Sequence, residues 1–285
     1  MAALDSLAWL WQPLQYGFMV RGLLAAIMVG IICPVIGSYM ILRGMSFFGD
    51  ALSHSILPGI VIAYLLSLPL AVGALVAGVV AAVFIGFISQ RGNLQEDTAI
   101  GIVFAGAFAL GVALMSTVSG YSVDLTHILF GDVLGVSVAD LWWTFGLGLL
   151  VLAIVIAFYK ELTIITFDPT LALVLRLPAR MLRYLLLVLI ALTIVVSLRT
   201  VGISLMLAML VTPAAAAQLL TRRLPWMMVV AATIGVLSNV TGLYLSYALN
   251  IASGPAMVLV ATAVFAIVFL FAPERGMLWR RLHPA

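Results

Sequence analysis

Charge is what this sequence has least of. Only 8% of the 285 residues are Asp, Glu, Lys or Arg, against roughly 25% in soluble domains, while 65% are hydrophobic and the mean hydropathy is +1.30. So little charge cannot cover a water-soluble globule, and the composition reads as an all-α polytopic membrane protein. Cysteine is nearly missing too. The single one, Cys33, stands beside Pro34 inside an apolar run. That excludes an intrachain disulfide framework and a thiolate metal cluster, and Cys33 reads as a buried structural residue. Lysine occurs once, at Lys160 after Phe158-Tyr159, so there is no G-x-x-x-x-G-K-[ST] phosphate loop and no ATP site of that kind. H-E-x-x-H and G-x-S-x-G are also missing, which leaves an enzymatic reading without residues. The 13 methionines are scattered and form no spaced copper ladder. The net charge of +3 comes from the loops and points to no nucleic acid.

What is present is a series of long apolar runs, at 18–41, 51–67, 70–89, 98–117, 139–158, 182–198, 201–220, 226–249 and 255–272. Each approaches the length needed to cross a hydrocarbon core of about 30 Å. Runs 51–67 and 182–198 are short and 201–220 carries Thr212-Pro213, so one of them is expected to be bent or half-length, giving eight to nine crossings. There is no β-barrel alternation and no internal repeat, and the expectation is one transmembrane domain over 1–285. Residues 1–17 hold Asp5, Trp9, Trp11, Gln12 and Pro13 without the basic and apolar regions of a signal peptide, and read as an interfacial segment.

Eleven of the 13 basic residues fall in alternate loops and at the C-terminus. By the positive-inside rule those loops and the C-terminus are cytoplasmic, and the opposite face, with Asp5, Asp124, Asp132 and Asp140, is acidic and external. Arg199 is expected to snorkel at the end of its span. Arg91 reads with Glu96 and Asp97 as an ion-pair cluster. In 159–181, Asp168-Pro169 has the form of a helix N-cap followed by proline at the first helical position, and "TLALVLRL" then gives two turns before Pro178. A short apolar helix flanked by basic residues suits a docking element for another protein, or a helix lying on lipid headgroups.

The stretch "GMSFFGDALSHSILPG", residues 44–59, breaks the apolar pattern with Asp50 and His54. In a helix the two lie one turn apart on one face and can share a ligand. Gly49 allows a bend before them. Pro58 has no N–H, so the carbonyl of His54 loses its helical donor and needs another. Carboxylate, imidazole and carbonyl together suit Mn²⁺, Fe²⁺ or Zn²⁺ rather than copper(I). Ionisable groups within a span cost about 2.5–3.5 kcal/mol and usually line a pathway or pair with each other. The alternative is structural: Asp50 caps the helix and His54 bonds a neighbouring one.

"LRGMSFFGDALSHSILPGI" resembles the signature of the manganese/zinc/iron permease family of ABC importers, and the likeness extends over nearly the whole chain. "DLTHILFGDVLGVS", "FDPTLALVLRLP", "VGISLMLAMLVTPAAAAQLLTRRL" and "IGVLSNVTGLYLSYALNIASGPAMVLV" resemble its further blocks in the same order. The resemblance implies a type II importer fold like that of the cobalamin and siderophore importers, and a multi-pass subunit of the bacterial inner membrane. It implies no ATPase or covalent cofactor of its own, and a transported divalent ion as cargo. The implied partners are two copies of a separate ATPase, an extracellular or periplasmic metal-binding protein and a second permease subunit, with a homodimer expected. Asp50 and His54 would form the metal site. Asp168, Pro169, Leu171, Ala172, Leu175, Leu177 and Pro178 would belong to the coupling helix on the ATPase. Ser53 and Pro58 within "GDALSHSILPG" place the chain nearer manganese than zinc permeases. Asp124 and His127 are a second candidate pair, for ion entry or docking of the binding protein; their structural reading is a helix N-cap and an interfacial polar residue. A permease for a metal chelate or cofactor, and a secondary metal transporter without an ATPase, are the rival readings.

Overall fold

The computed structural model describes residues 12–92, 94–117 and 133–273. Among these the regular structure is entirely helical: α1 (Gly17–Leu42), α2 (Phe48–Ser55), α3 (Leu57–Leu65), α4 (Leu70–Gly92), α5 (Glu96–Ser116), α6 (Val138–Ala157), α7 (Tyr159–Phe167), α8 (Pro169–Val174), α9 (Ala179–Leu220), α10 (Leu224–Leu249) and α11 (Ser253–Phe271), with 3₁₀ turns at Pro13–Gln15 and Val133–Gly135. The helical form follows from the composition, because a helix satisfies its own backbone where water is excluded. Counting α2 and α3 as one run, Phe48–Leu65, eight helices among the described residues are long and apolar enough to cross a membrane. Residues such as Val76, Val80 and Phe84 on α4 are exposed, as befits a face turned to lipid. The chain is a multi-pass membrane protein. Most of the N-terminal segment, together with Asp124, His127 and Asp132, lies outside the described residues.

The spans carry three details that bear on the sequence expectations. The runs at 182–198 and 201–220 fall within α9, where two helices join at a kink at Gly202, φ 79° and ψ 172°, so they remain two helical segments as the sequence suggested. The kink falls at the one residue type that takes this backbone without strain. Pro213, in one of the three runs among which a bent or half-length piece was expected, stays within the second segment. The bend before Asp50 is at Gly44, with φ 71°, and not at Gly49, which is helical and buried inside α2.

The chain divides into two compact units. The first draws on Met1–Ser38, Thr126–Gly146 and Thr200–Ala285. There α1 and α10 meet backbone to backbone: a Cβ on Gly30 would stand 3.0 Å from Val236 N, and one on Gly235 would stand 2.8 Å from Pro34 Cγ. Beside this crossing the fully buried Asn239 donates from Nδ2 to the carbonyl of Ala26 at 2.7 Å. Small residues at the contact and one interhelical hydrogen bond are the usual means of joining helices in lipid, where burial alone supplies no drive.

The second unit, Tyr39–Leu125 with Leu147–Arg199, uses the same device for α3 and α4. Gly59 and Gly73 face each other so closely that a Cβ on either would collide with the other's carbonyl. A second tie is ionic. Arg43, just past α1, pairs with Glu96 at the start of α5, and Arg183 in the first turns of α9 approaches the same carboxylate at 3.9 Å. Burial pushes the Arg43 guanidinium below its ordinary range, and Glu96 acts in the opposite direction. Glu96 thus belongs to Arg43 and Arg183 and not, as the sequence suggested, to Arg91. Arg91 instead lies over the ring of Phe87, 5.4 Å from its centroid. Local sequence spacing favours near neighbours, whereas the fold brings Arg43 from 53 residues away.

Candidate metal centre

The polar pair sits on α2, a helix of eight residues. Phe48, Gly49, Ala51, Leu52, Ser53 and Ser55 of α2 are all buried, which leaves Asp50 and His54 as the polar face that is not. Both hydroxyls on the buried side bond back to the helix: Ser53 Oγ donates to the Asp50 carbonyl and Ser55 Oγ to the Ala51 carbonyl, each at 2.7 Å. No buried hydroxyl therefore competes for the two ionisable groups. Asp50 is in the first turn of α2 and His54 in the last.

His54 Nε2 lies 3.7 Å from Asp50 Oδ1, with side-chain exposures of 31% and 36%. That is ion-pair range but beyond a hydrogen bond, so neither group is spent on the other. The structural alternative fares poorly: Asp50 is inside the helix rather than at its cap, and the N-cap residue Phe47 offers no side-chain bond. The N–H of Ile56 hydrogen-bonds the Leu52 carbonyl at 3.2 Å, which leaves the His54 carbonyl only a secondary i,i+2 contact with that donor, and Pro58 begins α3 just beyond.

The sequence did not reveal the aromatic surround. The imidazole of His54 lies edge-on to Phe108, with centroids 5.7 Å apart and planes at 79°, and 5.9 Å from Phe104. Phe104 and Phe108 stack on one another along α5, and Phe47 meets Phe104 edge to face. The available signal was the i,i+4 spacing of two phenylalanines in an apolar span, but lipid-facing residues show the same spacing. Their rings restrict the tilt of the imidazole and keep its far side apolar.

Among the described residues no group of three or more His, Cys, Asp or Glu comes together. Two side chains are too few for a four-coordinate zinc site or a six-coordinate manganese site. The pair can hold a divalent ion only with further ligands from water or from another polypeptide.

Asp168 and Pro169 take the places read from the sequence. Asp168 caps α8 by accepting from the N–H groups of Thr170 and Leu171, both at 3.0 Å. The Thr170 hydroxyl and then the Leu171 N–H hold its carboxyl below the usual carboxylate range. The helix is shorter than expected, ending at Val174, because Arg176 turns left-handed at φ 55°, two residues ahead of Pro178. Leu171, Leu173, Val174 and Leu175 are exposed around the buried Ala172.

Residues 15–272 match the model of the ABC 3 transport family. The chain is 51% identical over 269 residues to the manganese transport system membrane protein MntC of Halalkalibacterium halodurans, covering 94% of this chain and 92% of that one. It is 38% identical over 273 residues to the chelated iron transport system membrane protein YfeD of Yersinia pestis, covering 96% and 92%. In structure it is similar to a chain of PsaBC from Streptococcus pneumoniae, solved in complex with Fab, at TM-score 0.81 and 38% identity, covering 99% of each chain. With the family match spanning nearly every described residue and half the positions shared with a full-length relative, the chain belongs to the ABC 3 transport family.

Proposed function

We propose that this chain is the membrane permease of an ATP-driven ABC importer for a divalent transition metal, manganese first, and that Asp50 and His54 hold the ion in transit. The observation that carries this is the pair itself. A carboxylate and an imidazole stand 3.7 Å apart on the one unburied polar face of a helix within an apolar run, with neither consumed by the fold. Ionisable groups placed there at a cost of about 2.5–3.5 kcal/mol each normally serve a pathway. Relatives named for manganese transport support that metal, and the relative named for chelated iron makes iron its competitor.

The remaining ligands come from a second permease copy, which brings another carboxylate and imidazole to the same ion. To ligate, His54 presents a free ring nitrogen to the ion. A binding protein delivers the ion at one membrane face. At the other, where the basic loops and the C-terminus lie, an ATPase subunit seats on α8, with Asp168 fixing the start of that helix and Leu171 and Leu175 making apolar contact. Closure of the ATPase pair pulls on α8 and alternates access to the site.

The test is metal content by mass spectrometry, in manganese-starved cells expressing the chain with its ATPase and binding protein. Asp50→Asn and His54→Ala, at equal membrane abundance, should each reduce manganese accumulation by more than about tenfold, since even disturbing the support of a metal ligand costs about 10–100-fold. Accumulation that survives both changes would make the pair structural and refute the assignment.

A further inference from the structure

Phe87, Gln90, Arg91, Arg180 and Tyr184 line a cavity of about 510 Å³ between the end of α4 and the start of α9, within one compact unit. Its charge is one-sided. Two guanidinium groups face it and no carboxylate does. The nearby acid Glu96 is engaged by Arg43 and Arg183, and among the described residues neither Arg91 nor Arg180 enters an ion pair. Gln90 completes the lining with an uncharged side chain.

The walls are built rather than incidental. Gly86 lets α4 come so close to α9 that a Cβ there would stand 2.7 Å from the Tyr184 ring. This closeness sets the aromatic floor. Phe87 carries the Arg91 guanidinium on its face, which orients the fork of donors. The height in the membrane follows from the helices, since Arg91 is in the last turn of a 23-residue apolar span and Arg180 is in the first turn of α9. The cavity is therefore at the level where spans leave the hydrocarbon, on the face that carries the basic loops.

We propose that this cavity binds the phosphodiester headgroup of an anionic phospholipid. Two guanidinium forks supply donors only, and the complement is an oxyanion with several acceptor oxygens. Free phosphate has the same chemistry. The lipid is favoured by the interfacial height and by the exposed ring of Phe87, one turn deeper than Arg91, which offers an apolar surface to a glycerol and acyl chain. Basic pockets between transmembrane helices near the cytoplasmic leaflet bind such headgroups. The inference does not depend on the metal reading.

The test is thermal unfolding of the full-length chain in micelles containing phosphatidylglycerol, phosphatidylcholine, or phosphatidylcholine with millimolar inorganic phosphate. Phosphatidylglycerol alone should raise the midpoint. Arg91→Gln with Arg180→Gln should lose the rise and bind phosphatidylglycerol on the order of tenfold more weakly, and Arg91→Lys with Arg180→Lys should keep part of it. An undiminished rise in the glutamine double variant overturns the site, and an equal rise with inorganic phosphate overturns the lipid assignment. If the double variant does not fold, lipid retained per chain is counted by native mass spectrometry in the two single glutamine variants, both of exposed side chains. Retention equal to wild type then refutes the proposal.

Discussion

The two units solve one packing problem alike and treat their polar groups in opposite ways. In one, Gly30 and Gly235 bring α1 and α10 together, and the polar side chain at that crossing, Asn239, is wholly buried and gives its hydrogen bond to Ala26. In the other, Gly59 and Gly73 bring α3 and α4 together, and the polar side chains on the adjoining α2 are half-buried and not hydrogen-bonded to one another. The contrast teaches how to tell structural polarity from functional polarity inside a membrane. A fully buried side chain that bonds across a helix crossing serves the fold, whereas an ionisable pair left accessible within a span is the expected mark of a binding site.

That contrast can be broken by substitutions that strike the fold alone. The largest effect is expected from Gly37→Val, because even a Cβ at this position would overlap the Leu210 carbonyl. Backbone would have to move, at a cost of about 3 kcal/mol or more, and membrane abundance should collapse. Gly106→Ala meets open space and should keep wild-type abundance on the same immunoblot. Next comes Glu96→Gln. It strands Arg43, whose side chain is only 8% exposed, and breaking such a pair costs up to about 3 kcal/mol. Adding Arg43→Met should recover most of the lost thermal midpoint, which separates a stranded charge from a missing contact. The smallest effect is expected for Asn239→Leu. Interhelical hydrogen bonds in membranes are worth about 0.6 kcal/mol on average, so stability should fall slightly and uptake per molecule should hold. If uptake per molecule instead falls as far as is expected for Asp50→Asn, polarity in the first unit is functional too and the distinction fails.

Local chemistry was legible in the sequence, and its long-range consequences were not. Apolar runs gave the helices, because length and composition alone decide whether a segment can span. The i,i+4 spacing put Asp50 and His54 on one face, and Asp168-Pro169 marked the start of α8, since capping involves only adjacent residues. The partner of Glu96 was misread, for ion pairing across 53 residues leaves no local trace. Phe104 and Phe108 passed unnoticed for a related reason: in a span that is apolar all round, periodicity cannot separate a ring facing lipid from one facing histidine. The early end of α8 depends on a left-handed arginine, a conformation that sequence rules assign to Gly or Asn.

That arginine gives α8 a mechanical character. A helix of six residues, about 9 Å long, would ordinarily fray from both ends. Here the carboxyl of Asp168 clamps one end, while at the other the N–H of Leu177 closes on the Ala172 carbonyl at 2.9 Å around the left-handed turn. With neither end loose, α8 is held as a short strut, and a force applied to its exposed leucines would pass along it instead of being absorbed by unwinding.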